Sequence, residues 1–181
     1  MADPLGSALK RILPPLNRSP IPYVLIGGLA SGILGRSRTT LDIDILVGGG
    51  QAGLSKTAAV IGQQGVEKVD SFLEMNPMLR GTMIRMRSGP IHIDLMRSRD
   101  RHDQTTLRRR QMVSAFGTKV WLPKPEDLIL LKMKTGRDRD LSDCIGIFEA
   151  QKDQLDPNYL RRWAARLRLL DEYHYVVGTK Q

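Results

Sequence analysis

A chain of 181 residues with 41% hydrophobic and 26% charged residues is long enough to bury a core, and it reads as an ordinary soluble protein. Its one cysteine, Cys144, rules out an internal disulfide framework and a cysteine zinc cluster, and no stretch approaches the about 18 apolar residues of a membrane span. The 28 basic against 19 acidic residues leave a net charge of +9, which favours polyanionic partners or phosphate-rich substrates.

In chain order, Asp3 reads as the N-cap of an opening helix with Leu5, Leu9 and Ile12 at helical spacing, and Pro14-Pro15 is expected to end it. The start of the chain, with its basic residues after the first apolar ones, is unlike a signal peptide. Together with the lone thiol it points to a cytoplasmic protein with no membrane association. Tyr23 to Ile26 forms a β-branched and aromatic strand that runs into Gly27-Gly28, and the apolar segment Leu29 to Leu34 then reads as a helix stopped by Gly35. Glycines at such a turn let the backbone approach a ligand closely, and the positive end of the following helix favours an anion such as phosphate. Ser31, one turn in, offers a hydroxyl.

Leu41 to Val47 alternates apolar and acidic residues, so Asp42 and Asp44 share one face of a strand and Ile43 and Ile45 the other. Two carboxylates side by side repel each other, a cost best relieved by a cation, and an oxygen-only donor set suits Mg²⁺ or Mn²⁺. A lone D-x-D is usually the solvent face of an edge strand. The glycine turn ahead of it, with Arg38, Thr39 and Thr40 just before the acids, makes coincidence a poor explanation. Further on, Gly48-Gly49-Gly50 reads as a flexible exit, Leu54 to Ile61 as a crossover helix and Val66 to Val69 as a strand. Met83 to Arg87 and Ile91 to Met96 form a hairpin around Ser88-Gly89-Pro90, with His92 and Asp94 on one face of its second strand.

Arginines cluster from Arg97 to Arg110 and are the type suited to bidentate phosphate contact, so this segment is the candidate surface for a polyanionic acceptor. Thr118 to Leu122 is a short strand. Pro125 starts a helix whose Leu128, Ile129 and Leu131 face the core and which carries Lys132; Asp140 and Asp143 share a helical face, where they either orient Lys132 or Arg137 or simply solvate the helix. Pro157 to Tyr175 reads as one amphipathic helix with Leu160, Trp163 and Leu167 inward and arginines outward. No G-x-G-x-x-G follows the first strand, and no P-loop, G-x-S-x-G elbow or zinc-spaced histidine set is present.

Gly27-Gly28 followed by Arg38-x-Thr40-x-Asp42-Ile43-Asp44, with Pro125-Glu126-Asp127-Leu128, Lys132 and Arg137-x-x-Asp140-x-x-Asp143 downstream, resembles the nucleotidyltransferase superfamily that includes DNA polymerase beta and kanamycin nucleotidyltransferase. Its small AbiEii-type members, several of them toxins, are the closest likeness. Many of its members carry Ser where this chain has Gly28. The resemblance covers roughly residues 23 to 148 and implies a small mixed α/β sheet flanked by helices, with C-terminal helices, in a single domain 1–181 (core about 20–122, helical part about 123–181).

It further implies that Asp42, Asp44 and Asp94 bind Mg²⁺ (or Mn²⁺) and are catalytic with Lys132. Gly27, Gly28, Ser31, Arg38 and Thr40 would hold an NTP, whose nucleoside monophosphate passes to an unidentified acceptor, nucleic acid such as tRNA or a protein, in an enzyme with or without an antitoxin partner. The alternative is a protein of this fold that binds nucleic acid or a partner protein without catalysis.

Overall fold

A computed structural model describes residues 3–36 and 39–178. The elements are α1 (Pro4–Arg18), β1 (Tyr23–Ile26), α2 (Gly27–Leu34), β2 (Asp42–Val47), α3 (Gly50–Gly62), β3 (Glu67–Lys68), α4 (Asp70–Met75), β4 (Met83–Ser88), β5 (Ile91–Arg97), α5 (Arg101–Arg109), β6 (Gln111–Ala115), β7 (Thr118–Leu122), α6 (Pro125–Met133), α7 (Asp138–Ala150), α8 (Pro157–Leu167) and α9 (Leu170–Gly178). The main sheet has the order β1-β2-β5-β4-β3, with β2 and β5 parallel and the other neighbours antiparallel; β6 and β7 form a separate hairpin. This is the mixed α/β sheet flanked by helices that the sequence predicts.

The period-two pattern decides the faces. Ile43, Ile45, Ile93 and Leu95 are fully buried with Leu54 and Ile61 of α3 and Leu9 and Ile12 of α1, while on the other face Leu46 meets Val24 and Leu107 of α5. Asp42 and Asp44 continue the Leu46 face toward the start of β2. One apolar cluster reaches from Ala8 to Val176, so the C-terminal helices share a core with the sheet. At about 25 cal/mol per Å² of apolar surface removed from water, such burial is the main stabilising term.

Several elements depart from the sequence reading. α1 does not end at Pro14-Pro15 but continues to Arg18. Leu13 and Leu16 extend its buried stripe, and Asn17 ties the last turn to β7 by donating to the Lys119 carbonyl at 2.9 Å and accepting from the Tyr23 hydroxyl at 2.8 Å. These contacts offset the backbone bonds that proline removes. Gly48-Gly49-Gly50 is not a loose exit: Gly48 N–H donates to the Pro22 carbonyl at 2.8 Å and Gly50 opens α3. The amphipathic tail is two helices, α8 and α9, broken at Arg168, whose φ of 60° turns the chain. The strand expected at Val66 to Val69 shrinks to Glu67–Lys68, and α4, α5 and β6, which had no clear periodic signature, are additional. Cys144 is a core residue, with burial pushing its thiol up to about 12. Among the described residues no helix is long and apolar enough to cross a membrane.

Candidate active site

The parallel pairing of β2 and β5 places Asp44 directly beside Asp94 and Asp42 beside His92. Extended across the sheet, one row reads Ile26, Asp44, Asp94, Arg85. Residues paired in register project to the same face, so the acids predicted from two separate alternations do meet. His92 Nδ1 lies 3.7 Å from Asp42 Oδ1, with both side chains about half exposed.

Asp44 is the unrelieved member. No described residue donates a hydrogen bond to it, and its pKa is pushed up to about 6, first by burial and then by the charges of Asp94 and Asp42; Lys132 and Arg85 pull the other way. Its carboxylate lies against the backbone of Gly27, where an added Cβ would come within 1.9 Å of Oδ2, and Gly27 has φ +65°. Only glycine fits there, both for the left-handed backbone and for the approach of the acid. The glycine turn and the acidic strand are therefore one construction.

Asp94 is held differently. Arg85 on β4 donates to both of its oxygens, Nε to Oδ1 at 2.7 Å and Nη2 to Oδ2 at 2.6 Å, and its guanidinium stacks 3.8 Å from the centre of the Phe72 ring of α4. Sequence reasoning did not single out Arg85. The hairpin turn contained the signal, since pairing Ser88 with Ile91 counts back to pair Arg85 with Asp94.

Lys132 is buried in α6 with Nζ 2.9 Å from Asp140 Oδ1 and 2.6 Å from Asp143 Oδ2, and its charge reaches Asp44. Of the two roles open to Asp140 and Asp143, the geometry shows the one that fixes Lys132. Thr135 adds a hydroxyl bond to Asp140 at 2.6 Å; burial alone would raise the Asp140 pKa, but the Thr135 and Lys132 bonds hold it below the ordinary carboxylate value.

The remaining sequence candidates divide. Gly28 and Thr40 line a cleft of about 300 Å³ shared with Leu5, Gly32, Ile33 and Phe116, and Thr40 Oγ1 accepts weakly from the Asp42 N–H at 3.4 Å. Ser31 is buried, its hydroxyl donating to the Gly27 carbonyl at 2.9 Å, so it braces the turn from within the helix. Arg38 lies outside the described residues.

Of the arginine segment, Arg108 bonds its neighbour Thr105, Arg109 pairs with Asp127 and Glu126, and Arg110 donates to the Leu107 carbonyl and stacks over Trp121. Two of the three consecutive arginines are thus spent inside the molecule.

Asp42, Asp44 and Asp94 are hard oxygen donors whose repulsion a cation would relieve, which suits Mg²⁺ or Mn²⁺. Among the described residues only Asp100, His102 and Asp103 bring one ligand atom each within 4.8 Å of one another; the three sheet carboxylates are not drawn that close, and a cation would have to gather them. At the Asp100 cluster Lys134 Nζ already sits 2.7 Å from Asp100 and 2.6 Å from Asp103, so an ammonium fills the cationic role there.

No protein-family model matches the sequence, and no curated protein matches it. Similar solved structures include the antibiotic-resistance factor ANT(2'')-Ia (TM-score 0.59, 14% identity, covering 94% of this chain and 96% of that chain). A nucleotidyltransferase from Thermotoga maritima superposes with a TM-score of 0.54 at 14% identity over 75% of this chain and 87% of that one. The lincosamide antibiotic adenylyltransferase LnuA gives 0.53 at 13% identity over 78% and 94%. Identities this low speak to architecture alone, and that architecture is the nucleotidyltransferase fold.

Proposed function

We propose that this protein is a nucleotidyltransferase that moves a nucleoside monophosphate from an NTP to an acceptor, within a single domain 1–181 of the AbiEii-like kind. The observation that carries the reading is the row Asp44–Asp94 across parallel strands, with Asp44 seated on the Gly27 backbone and left without a hydrogen-bond partner among described residues. A site that stores repulsion between carboxylates is built to receive a cation.

Asp42 and Asp44 would hold Mg²⁺ or Mn²⁺, with Asp94 as third donor or as acceptor of the incoming hydroxyl proton. When bound, the metal supplies charge neutralisation at the triphosphate and at the leaving pyrophosphate. The acceptor oxygen forms a bond to the α-phosphorus, the bond to the bridging oxygen breaks, pyrophosphate leaves with that electron pair, and the acceptor proton passes to Asp94 or water. Gly27, Gly28 and Thr40 would border the triphosphate, Arg38 is assigned there by the sequence pattern alone, and Lys132, fixed by Asp140 and Asp143, would offset phosphate charge. The net charge of +9 favours an anionic acceptor, tRNA or an acidic protein, in a toxin-like cytoplasmic enzyme with an antitoxin partner.

A second reading, binding of nucleic acid or a partner without catalysis, draws support from Arg85, which engages both oxygens of Asp94. One assay separates the two. Each α-³²P-labelled NTP is incubated with Mg²⁺, cell extract and either the parent or Asp44→Asn. Label passing to a macromolecule or small molecule with the parent only is the expected result, and no transfer from any NTP would leave the binding reading.

A further inference from the structure

α8 is held by one face and is bare on the other. Tyr159, Leu160, Trp163 and Ala164 are buried, and the Tyr159 hydroxyl bonds Asp127 while the Asp156 N–H donates to Glu126, which fastens the helix to the start of α6. The opposite face presents Arg161, Arg162 and Arg166, and Arg168 follows at the C-cap, all exposed. The helix contains no acidic residue. Among the described residues none of the four has a carboxylate partner, whereas Arg36, Arg85, Arg87 and Arg109 each have one.

This arrangement is not explained by the helix itself. Arg162 and Arg166 stand four residues apart, where like charges repel. The helix dipole favours cations in the last turn but gives nothing to Arg161 and Arg162, which lie before it. Arg168 adopts φ 60°, where glycine is the common choice. Arg166 does lie over the Trp163 ring at 5.5 Å, which orients its stem and leaves the guanidinium charge uncompensated.

We infer that the exposed face of α8 binds the phosphodiester backbone of nucleic acid. Four guanidiniums within two turns, each able to grip a phosphate in a fork, complement a strand of regularly spaced anions. The aromatic residues of the helix are turned into the core, so bases find no stacking platform there, and the contact is with the backbone and independent of sequence. This assigns the polyanion surface to α8 rather than to Arg108–Arg110, and it holds whether or not the protein transfers nucleotides.

The test is fluorescence anisotropy of labelled mixed-sequence RNA and DNA oligonucleotides titrated with the full chain in EDTA, without nucleotide, across a series of NaCl concentrations. Arg161→Gln, Arg162→Gln and Arg166→Gln together should weaken binding and flatten the slope of log affinity against log salt by about 0.7 to 0.9 per lost contact, with an unchanged melting temperature. The two oligonucleotides show which backbone is preferred. If the triple variant binds like the parent at every salt concentration, or if the parent binds phosphatidylglycerol vesicles and neither oligonucleotide, the inference fails. Should the triple variant melt early, the single substitutions replace it, each expected to remove about one contact's share of the slope.

Discussion

Two groups of carboxylates in this molecule have met opposite fates. Asp127, fully buried at the start of α6, is ringed by donors: the Tyr159 hydroxyl on Oδ1 and Arg109 Nε on Oδ2 at 2.9 Å, with His102 Nε2 3.5 Å from Oδ1. Burial alone would raise its pKa, yet those groups hold it below the ordinary value. Asp44 is also mostly enclosed, but it lies between Ile26 and Asp94 with Asp42 two residues along its strand, and burial and then those two acids push its pKa up to about 6. The first group is an ion network that satisfies its acid within the fold and ties α5, α6 and α8 together, although the buried His102 ring has no hydrogen-bond partner of its own among the described residues. In the second, Arg85 engages Asp94 but no described residue donates a hydrogen bond to Asp44, and the proposed cation would supply the missing partner. Burial and charge are common to both, so neither marks function; the identity of the partners does.

The comparison breaks most readily at Asp127. Asp127→Ala would leave Arg109 with Glu126 alone and strand the buried Tyr159 hydroxyl, and stability measured by urea denaturation should fall by about 1–3 kcal/mol. A loss below about 1 kcal/mol would mean that the network is ornamental. Asp44→Asn should do the reverse: unfolding free energy is unchanged or higher, while the rate of label transfer drops by about 10²-fold or more. An equal loss of stability in both variants would erase the distinction.

The pH dependence sharpens it next. Because the folded-state pKa of Asp44 lies above its ordinary 3.8, its contribution to stability is fully present below about 4 and is lost as pH rises through about 6. For the metal-free protein this amounts to roughly 2–3 kcal/mol, and the Asp44→Asn substitution should abolish the trend in melting temperature. Asp127 has the opposite sign: its contribution is present above the ordinary carboxylate pKa and is lost as pH falls through its lowered value. Gly27→Ala forces a side chain into φ +65° at about 1–2 kcal/mol and, with its Cβ within 1.9 Å of Oδ2, displaces the Asp44 carboxylate, so stability and transfer rate should fall together. A melting temperature and transfer rate equal to the parent's would show that the turn and the acid are not coupled.

Much of the acidic site was legible in the sequence because its signals are local. The alternations of Leu41–Val47 and Ile91–Met96 specify which face each acid occupies, and Gly27-Gly28 specifies the turn that receives one of them. Lys132 with Asp140 and Asp143 was legible through helical spacing and the family pattern. Arg85 needed the hairpin register, one inference further. The Asp127 network was not legible: His102, Arg109, Asp127 and Tyr159 come from three helices far apart in the chain, and only tertiary packing unites them. For the same reason Arg109 and Arg110 looked like free charge. α1 outran its prolines because buried Leu13 and Leu16, with the Asn17 anchors, outweigh local propensity.

The central claim, that Asp42, Asp44 and Asp94 form the cation site, is tested most directly by electron paramagnetic resonance of Mn²⁺ titrated into the protein with a non-hydrolysable NTP. The parent should bind Mn²⁺, Asp103→Asn should bind it equally well, and Asp44→Asn should lose most of the affinity. Loss in Asp103→Asn with retention in Asp44→Asn would move the metal to the Asp100–His102–Asp103 cluster and contradict the account.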